Sequence, residues 1–165
     1  MKVIFLDIDG VLNSNRWLDG RRKELFDRMQ KTGEHPWRDV IDRRAVLKVN
    51  QIVEATSAKV VISSAWRHQH SWKTMQEYLN YHGFRGKVVG QTPAKMSLYD
   101  RWAEIRMWLS YAETQPNHIV ILDDIHDMGK FKNFHVWIDE EIGLQDEHVD
   151  KAIEILSKPF ERNKL

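Results

Sequence analysis

The stretch KVIFLDIDGV, Lys2–Val11, contains the pattern that decides the fold of this chain. Four apolar residues, Val3–Leu6, lead directly into two aspartates one residue apart, and a glycine follows. An apolar run of this length that ends in a turn signal predicts a short buried β-strand. Asp7 would then lie at the carboxyl end of that strand, where α/β sheets place their chemistry.

The two aspartates of this stretch, Asp7 and Asp9, reach one pocket if the chain turns at Gly10. Carboxylates held close together repel each other unless a cation or a shared proton intervenes. Oxygen ligands are those that Mg²⁺ prefers. The segment therefore predicts a Mg²⁺ site in which one carboxylate is poised to act as a nucleophile.

The composition is that of an ordinary globular protein, with 165 residues of which 42% are hydrophobic and 30% charged, and it predicts one domain. A net charge of +1 gives no sign of polyanion binding through bulk charge. The chain has no cysteine, which excludes thiolate chemistry and fits a cytoplasmic location. The N-terminal apolar run is too short for a signal peptide, and no stretch approaches the ~20 apolar residues of a membrane span.

Apolar strands alternate with helical segments along the chain, which predicts an α/β fold. We expect a Rossmann-like, three-layer α/β/α architecture with a mainly parallel sheet of about five strands. The predicted strands are Lys2–Leu6, Lys59–Ile62, Lys87–Val89, His118–Leu122 and His135–Ile138. The predicted helices are Arg43–Ala55 with Asp42 as N-cap, Ser71–Tyr81, Tyr99–Tyr111, and a last helix through Leu156 capped by Asp146.

Residues 14–40 are polar and basic and are interrupted by glycines and a proline, which predicts an exposed insertion with some helix. The insertion is too short for a folded cap domain, so we expect a flap within a single domain that covers residues 1–165. Basic residues alternate with aromatic ones here, as in Arg16 and Trp17, and such patterns contact phosphates and stack on bases. The alternative is a solvated helix face with tryptophan anchors.

Polar side chains follow three of the predicted strands. The carboxyl ends of parallel strands converge on one edge of a sheet, so these side chains should share one crevice. Each of them alone is explained by a helix cap or a turn, but their joint occurrence indicates an active site. They are Asp7 and Asp9 after the first strand, Ser63, Ser64 and Arg67 after the second, and Asp123 and Asp124 after the fourth.

This set of motifs resembles the haloacid dehalogenase (HAD) superfamily of aspartate-nucleophile phosphohydrolases. The first family motif, hhhhDxDGxh, matches Val3–Val11, and the second matches VVIS, which ends at Ser63. The fourth matches HIVILDDIHD at residues 118–127. The third is a lone basic residue, for which Arg101 has the more suitable spacing and Lys95 is the rival. The combination of DIDGVLN, VISSAWR, RWAEIRMWL and VILDD is similar to the small HAD domains of Swiss Army Knife RNA repair proteins and to related stand-alone phage and bacterial proteins.

The resemblance implies a role for each motif residue. Asp7 would attack phosphorus and form an aspartyl-phosphate, and Asp9 would act as general acid and then as general base. Mg²⁺ would be held by Asp7, the backbone carbonyl of Asp9, and the acids Asp123 and Asp124, with Asp127 as a weaker candidate. Ser63 and Arg101 would bind the phosphoryl oxygens, with further substrate contacts from Ser64, Arg67, Lys95 and the backbone of Gly10.

A general acid such as Asp9 favours a phosphatase over a dehalogenase, because a halide leaves without a proton. Without a full cap the site is open to the ends of large molecules. We therefore expect a polynucleotide phosphatase-like enzyme that acts on an RNA or DNA end or on a nucleotide. The alternatives are a small-metabolite phosphatase, a 5′-nucleotidase, or a non-catalytic module that keeps the fold.

Overall fold

The computed structural model describes residues 1–94 and 101–160. The helices are α1 (Asn15–Thr32), α2 (Arg43–Thr56), α3 (Trp72–Tyr81), α4 (Arg101–Tyr111) and α5 (Asp146–Ser157). The strands are β1 (Lys2–Leu6), β2 (Lys59–Ile62), β3 (Val88–Gln91), β4 (His118–Asp123) and β5 (His135–Trp137). Short 3₁₀ segments cover Trp37–Val40, Ala65–His68 and Gly129–Phe134.

The five strands form one parallel sheet in the order β3-β2-β1-β4-β5. The central strand β1 is apolar on both faces, as a strand covered by helices on both sides must be. Ile4 and Leu6 pack into the core on the side of α2, α3 and α5. Val3 and Phe5 pack on the opposite side, against α4. The predicted three-layer α/β/α fold with a parallel sheet is confirmed.

Most predicted elements agree with the structure within one or two residues. The predicted start of α4 at Tyr99 lies outside the described residues. The third strand runs from Val88 to Gln91 instead of Lys87–Val89, and its register with β2 shifts between Val60 and Val61. Asp42 caps α2 as predicted, with its side chain accepting from an N–H of the first turn. The N-cap of α5 is Gln145 and not Asp146, since Gln145 and His148 cap each other.

The insertion at residues 14–40, which we call the flap, contains the helix α1 and the 3₁₀ segment after it. Ser14 caps the start of α1, and its end is closed by Gly33, whose φ of 72° suits a residue without Cβ. Within the part of the chain that the structure describes, no residue of α1 is fully buried. Trp17 anchors the helix through an indole N–H that donates to the Val40 carbonyl at 3.1 Å. Trp17 therefore acts as an anchor for a solvated helix, which is the alternative given above for the flap.

None of the described helices combines the length and the apolar character that crossing a membrane requires.

Phe5 on β1 provides a direct test of the two-sided core. Its side chain is fully buried and contacts Trp108 edge-to-face with ring centroids 5.4 Å apart. We expect Phe5→Ala to lower the free energy of unfolding by about 3–5 kcal/mol, measured by urea denaturation. The matched control is Phe26→Ala on α1, where the ring is 54% exposed and the expected change is within about 0.5 kcal/mol. Equal losses in the two variants would contradict this core.

Candidate active site

The carboxyl ends of β1, β2 and β4 meet at one edge of the sheet, and the backbone holds them together beyond the strands. The Asp7 N–H donates to the Leu122 carbonyl at 3.0 Å, and the Ser63 N–H donates to the Leu6 carbonyl at 2.8 Å. Asp123 is the last residue of β4. The three predicted motif segments are therefore neighbours in space.

Three carboxylates converge at this edge. Asp7, Asp123 and Asp124 each offer an oxygen atom, and these oxygens lie within 4.8 Å of one another. Asp7 and Asp123 are buried, whereas Asp124 is partly exposed. Close, buried carboxylates repel each other, so the arrangement favours a bound cation.

Burial dominates the electrostatics of these acids. It raises the pKa of Asp7 to about 6, although Arg101 and the side chain of Ser64 counteract part of the shift. Burial, with repulsion from Asp7, raises the pKa of Asp123 well above its ordinary value. Burial also raises the pKa of Asp124, and the nearby carboxylate of Glu140 adds to that effect. A divalent cation would oppose all three shifts, because it favours the charged form of each ligand.

Arg101, the first residue of α4, connects the motif segments. Its Nη2 lies 3.2 Å from Asp7 Oδ2, and its Nη1 donates to the Ser63 carbonyl. Its Nε lies 3.1 Å from Asp123 Oδ2, a contact that is an ion pair without the alignment of a hydrogen bond. Of the two candidates for the third motif, the structure brings Arg101 to the carboxylates. Lys95 lies outside the described residues.

Ser63 and Gly10 shape the space beside these acids. Ser63 Oγ is buried and has no hydrogen-bond partner among residues 1–94 and 101–160. An unpaired buried hydroxyl is costly, so a ligand oxygen that it could bond would stabilise the site. Gly10 has a φ of 72°, and a Cβ there would lie 2.5 Å from Asp124 Oδ2. Its N–H, a predicted substrate contact, donates to Asn13 Oδ1 at 3.0 Å.

Asp9 faces the flap. Its Oδ1 accepts from Asn13 Nδ2 at 2.8 Å, and its Oδ2 accepts from the indole N–H of Trp66 at 2.9 Å. The side chain is exposed, and its carboxylate lies outside the cluster of Asp7, Asp123 and Asp124. The two donors orient the carboxylate at the rim of the crevice.

A family comparison agrees with this geometry. Residues 3–149 match the family model described as the HAD domain in Swiss Army Knife RNA repair proteins. The chain belongs to this family. Comparisons with curated proteins and with solved structures returned no match. Family membership makes this a HAD-type phosphohydrolase domain, and the matched range includes every strand-end motif described above.

HAD domains generally use Mg²⁺, and the residues of this one fit that ion. Asp7, Asp123 and Asp124 supply converging oxygen ligands, and Mg²⁺ needs only a few carboxylates because it retains waters. Gly10 contributes by having no side chain, since any Cβ would collide with the Asp124 carboxylate.

The two remaining predicted substrate contacts of this HAD domain, Ser64 and Arg67, are bonded within the chain. Ser64 is buried, and its Oγ accepts from the Trp66 N–H at 3.4 Å. The Arg67 guanidinium is buried, donates to the Ser64 carbonyl and pairs with Glu104. Burial lowers the pKa of Arg67, and the Glu104 carboxylate opposes this. Substrate contact by either residue stays a prediction.

Two residues around the HAD site are not predicted from the sequence: Asn13 and Glu104. Trp66 begins WRHQH, residues 66–70, a stretch in which basic and aromatic residues alternate as they do in the flap. Glu104 lies one helical turn after Arg101, a spacing that places both on one face of α4. That spacing was the available signal for Glu104. For the contact of Trp66 with Asp9 we find no sequence signal, because the two residues are 57 positions apart.

The pKa of Asp7 leads to a prediction for the metal-free protein. A pKa raised from 3.8 to about 6 gives stability that is present below pH 3.8 and lost as the pH rises through 6. Asp7→Asn removes this loss. In EDTA we expect the Tm of the variant to exceed that of the wild type by about 6 °C or more near pH 7.5. The difference should shrink as the pH falls below 6 and vanish only near pH 3.5, where Asp7 is protonated in both the folded and the unfolded chain.

The matched control for this measurement is Asp127→Asn, since Asp127 is exposed and, among the described residues, its carboxylate accepts only from the Gly129 N–H, at 2.8 Å. Its Tm should follow that of the wild type at both pH values. A Tm difference for Asp7→Asn that is independent of pH would contradict the electrostatic account of Asp7.

Proposed function

We propose that this HAD domain is a Mg²⁺-dependent phosphatase that removes a terminal phosphate from a nucleic acid or nucleotide through an aspartyl-phosphate. The observation that carries the proposal is the buried Asp7 carboxylate, in contact with Arg101 and within 4.8 Å of Asp123 and Asp124. A carboxylate with no catalytic role would gain nothing from this position, because the neighbouring carboxylates repel it. Its position favours catalysis over a non-catalytic module.

In the first step Asp7 attacks phosphorus, so that a bond forms to its carboxylate oxygen while the bond to the leaving oxygen breaks. The Ile8 N–H donates to Asp7 Oδ1 at 2.7 Å and fixes the carboxylate for attack. Arg101 and Ser63 donate to the phosphoryl oxygens as charge moves onto them.

Asp9 supplies the proton. As general acid it protonates the leaving oxygen, and it then takes a proton from the water that attacks phosphorus and frees Asp7. Trp66 and Asn13 hold its carboxylate at the rim of the crevice by donating hydrogen bonds to its two oxygens. This role requires only that the leaving oxygen come within hydrogen-bond reach of Asp9.

Asp7, Asp123 and Asp124 would hold the metal, together with the backbone carbonyl of Asp9. The ion would supply positive charge that keeps Asp7 ionised and stabilises charge on the phosphoryl oxygens. We also propose further substrate contacts, which the proposal does not depend on: Gly10, Ser64, Arg67 and Lys95.

The substrate assignment rests on the family of RNA repair proteins and on the flap. A flap of residues 14–40 in place of a full cap, within one domain of 165 residues, leaves room for a strand end. We also propose a cytoplasmic location, which the lack of cysteine favours. A small-metabolite phosphatase or a 5′-nucleotidase is the alternative.

Phosphate release tests the activity and its metal. With Mg²⁺ present, the wild type should release phosphate, and Asp7→Asn should lose at least about a thousandfold in kcat. Asp124→Asn should raise the Mg²⁺ concentration for half-maximal rate by about tenfold or more. Asp127→Asn is the matched control and should stay within about twofold of the wild type, because Asp127 lies outside the cluster.

A panel of substrates tests the proposed class. It compares oligonucleotides phosphorylated at either end with mononucleotides and sugar phosphates. Turnover of oligonucleotide ends should be the fastest and should fall with rising salt, because backbone contacts release counterions. Faster turnover of sugar phosphates at every salt concentration would contradict the nucleic-acid assignment. Full activity of Asp7→Asn would contradict the mechanism.

A further inference from the structure

A groove of about 420 Å³ runs between α1 of the flap and the segment Trp37–Val40. This volume is within the range of small-molecule sites. Phe26 contributes a ring that is 54% exposed. Large exposed apolar patches on a protein mark binding surfaces. The lining is mostly apolar and includes Leu18, Leu25, Phe26, Met29, Trp37 and Trp66.

The groove is continuous with the proposed proton donor. Asp9 and Asn13 belong to its lining, and so does Trp66, whose indole N–H holds the Asp9 carboxylate. A general acid must reach the leaving oxygen, so the group attached to that oxygen lies on the Asp9 side of the phosphorus. That side is the groove.

We propose that this groove, formed by the flap and Trp66, binds the base of the phosphorylated terminal nucleotide. This inference rests on the proposed phosphatase function and specifies how its substrate is recognised. The base would enter between the apolar side chains of α1 and the rings of Trp37 and Trp66, while the phosphate reaches Asp7.

The lining favours a flat aromatic group over a sugar or an alkyl polyol. Trp37 and Trp66 meet at 75° with centroids 4.9 Å apart, and His35 packs on Trp37 at 4.1 Å. Trp66 is buried and Trp37 is partly covered by His35, so these rings form an aromatic wall. The exposed ring of Phe26 provides a face on which a base stacks. The hydroxyl groups of a polyol would lose water against the same apolar surface without gaining partners.

Charge at the groove favours a nucleic acid over an apolar peptide or a second copy of this chain. Arg22 lines the groove, and its side chain is 81% exposed. Its only ion pair in the described chain is with Asp19, which is also exposed, and such surface pairs are weak. The guanidinium can therefore bind a neighbouring phosphate of the strand.

The test compares two oligonucleotides that differ only in the terminal base. One carries a phosphorylated nucleotide, and the other carries a phosphorylated tetrahydrofuran residue without a base. For the wild type, kcat/KM should be about tenfold higher for the oligonucleotide that carries the base, because this is the effect expected from the stacking of one base on an aromatic side chain. Phe26→Ala should reduce this ratio by about fivefold.

Tyr111→Ala is the matched control, because Tyr111 is 80% exposed at the end of α4 and does not line the groove. It should retain the wild-type ratio. A wild-type ratio near one, or equal ratios in Phe26→Ala and Tyr111→Ala, would overturn the inference while leaving the phosphatase activity in place.

Failure of the proposed function gives a different result, in which neither oligonucleotide is hydrolysed. The groove is then tested by titrating both oligonucleotides into the wild-type protein and following tryptophan fluorescence. Binding that is tighter with the base, and weakened by Phe26→Ala, supports the groove. Equal binding of the two oligonucleotides overturns it.

Discussion

The burial of Asp7 beside two other carboxylates is the constraint on which the rest of this structure depends. Burial raises its pKa to about 6, so the ionised form that a nucleophile needs must be stabilised by neighbouring positive charge. Arg101 supplies one charge from the start of α4. The converging oxygens of Asp123 and Asp124 would bind a metal ion, which would supply a second positive charge. The parallel sheet contributes by bringing β1, β2 and β4 to one edge.

The flap and the chemistry meet at one residue, Trp66. Its ring is buried beside Trp37 of the flap, and its N–H holds the Asp9 carboxylate. The proposed proton donor, Asp9, is thus oriented by the same aromatic cluster that lines the groove. Recognition of the leaving group and delivery of its proton would then be coupled, which explains how a short flap could serve where larger enzymes use a cap.

The strand-end residues could be predicted from the sequence because parallel topology itself makes them neighbours. The apolar strands and the positions of their carboxyl ends were enough to predict that Asp7, Ser63 and Asp123 lie together. Contacts such as Trp66 with Asp9 and Arg67 with Glu104 were not predictable, since they depend on how turns and 3₁₀ segments direct side chains. The flap was predicted as an insertion, but its aromatic groove exists only once the helix α1 packs beside the next segment.

The most direct test of the central claim is to find the phosphoryl group on the protein. Turnover in Mg²⁺ is stopped with acid, and the protein is digested and analysed by mass spectrometry with and without hydroxylamine, which cleaves acyl phosphates. We expect a phosphoryl group on Asp7 that hydroxylamine removes and that Asp7→Asn lacks. Rapid turnover with no phosphorylation of Asp7 at any quench time, or phosphorylation at another residue, would contradict the account.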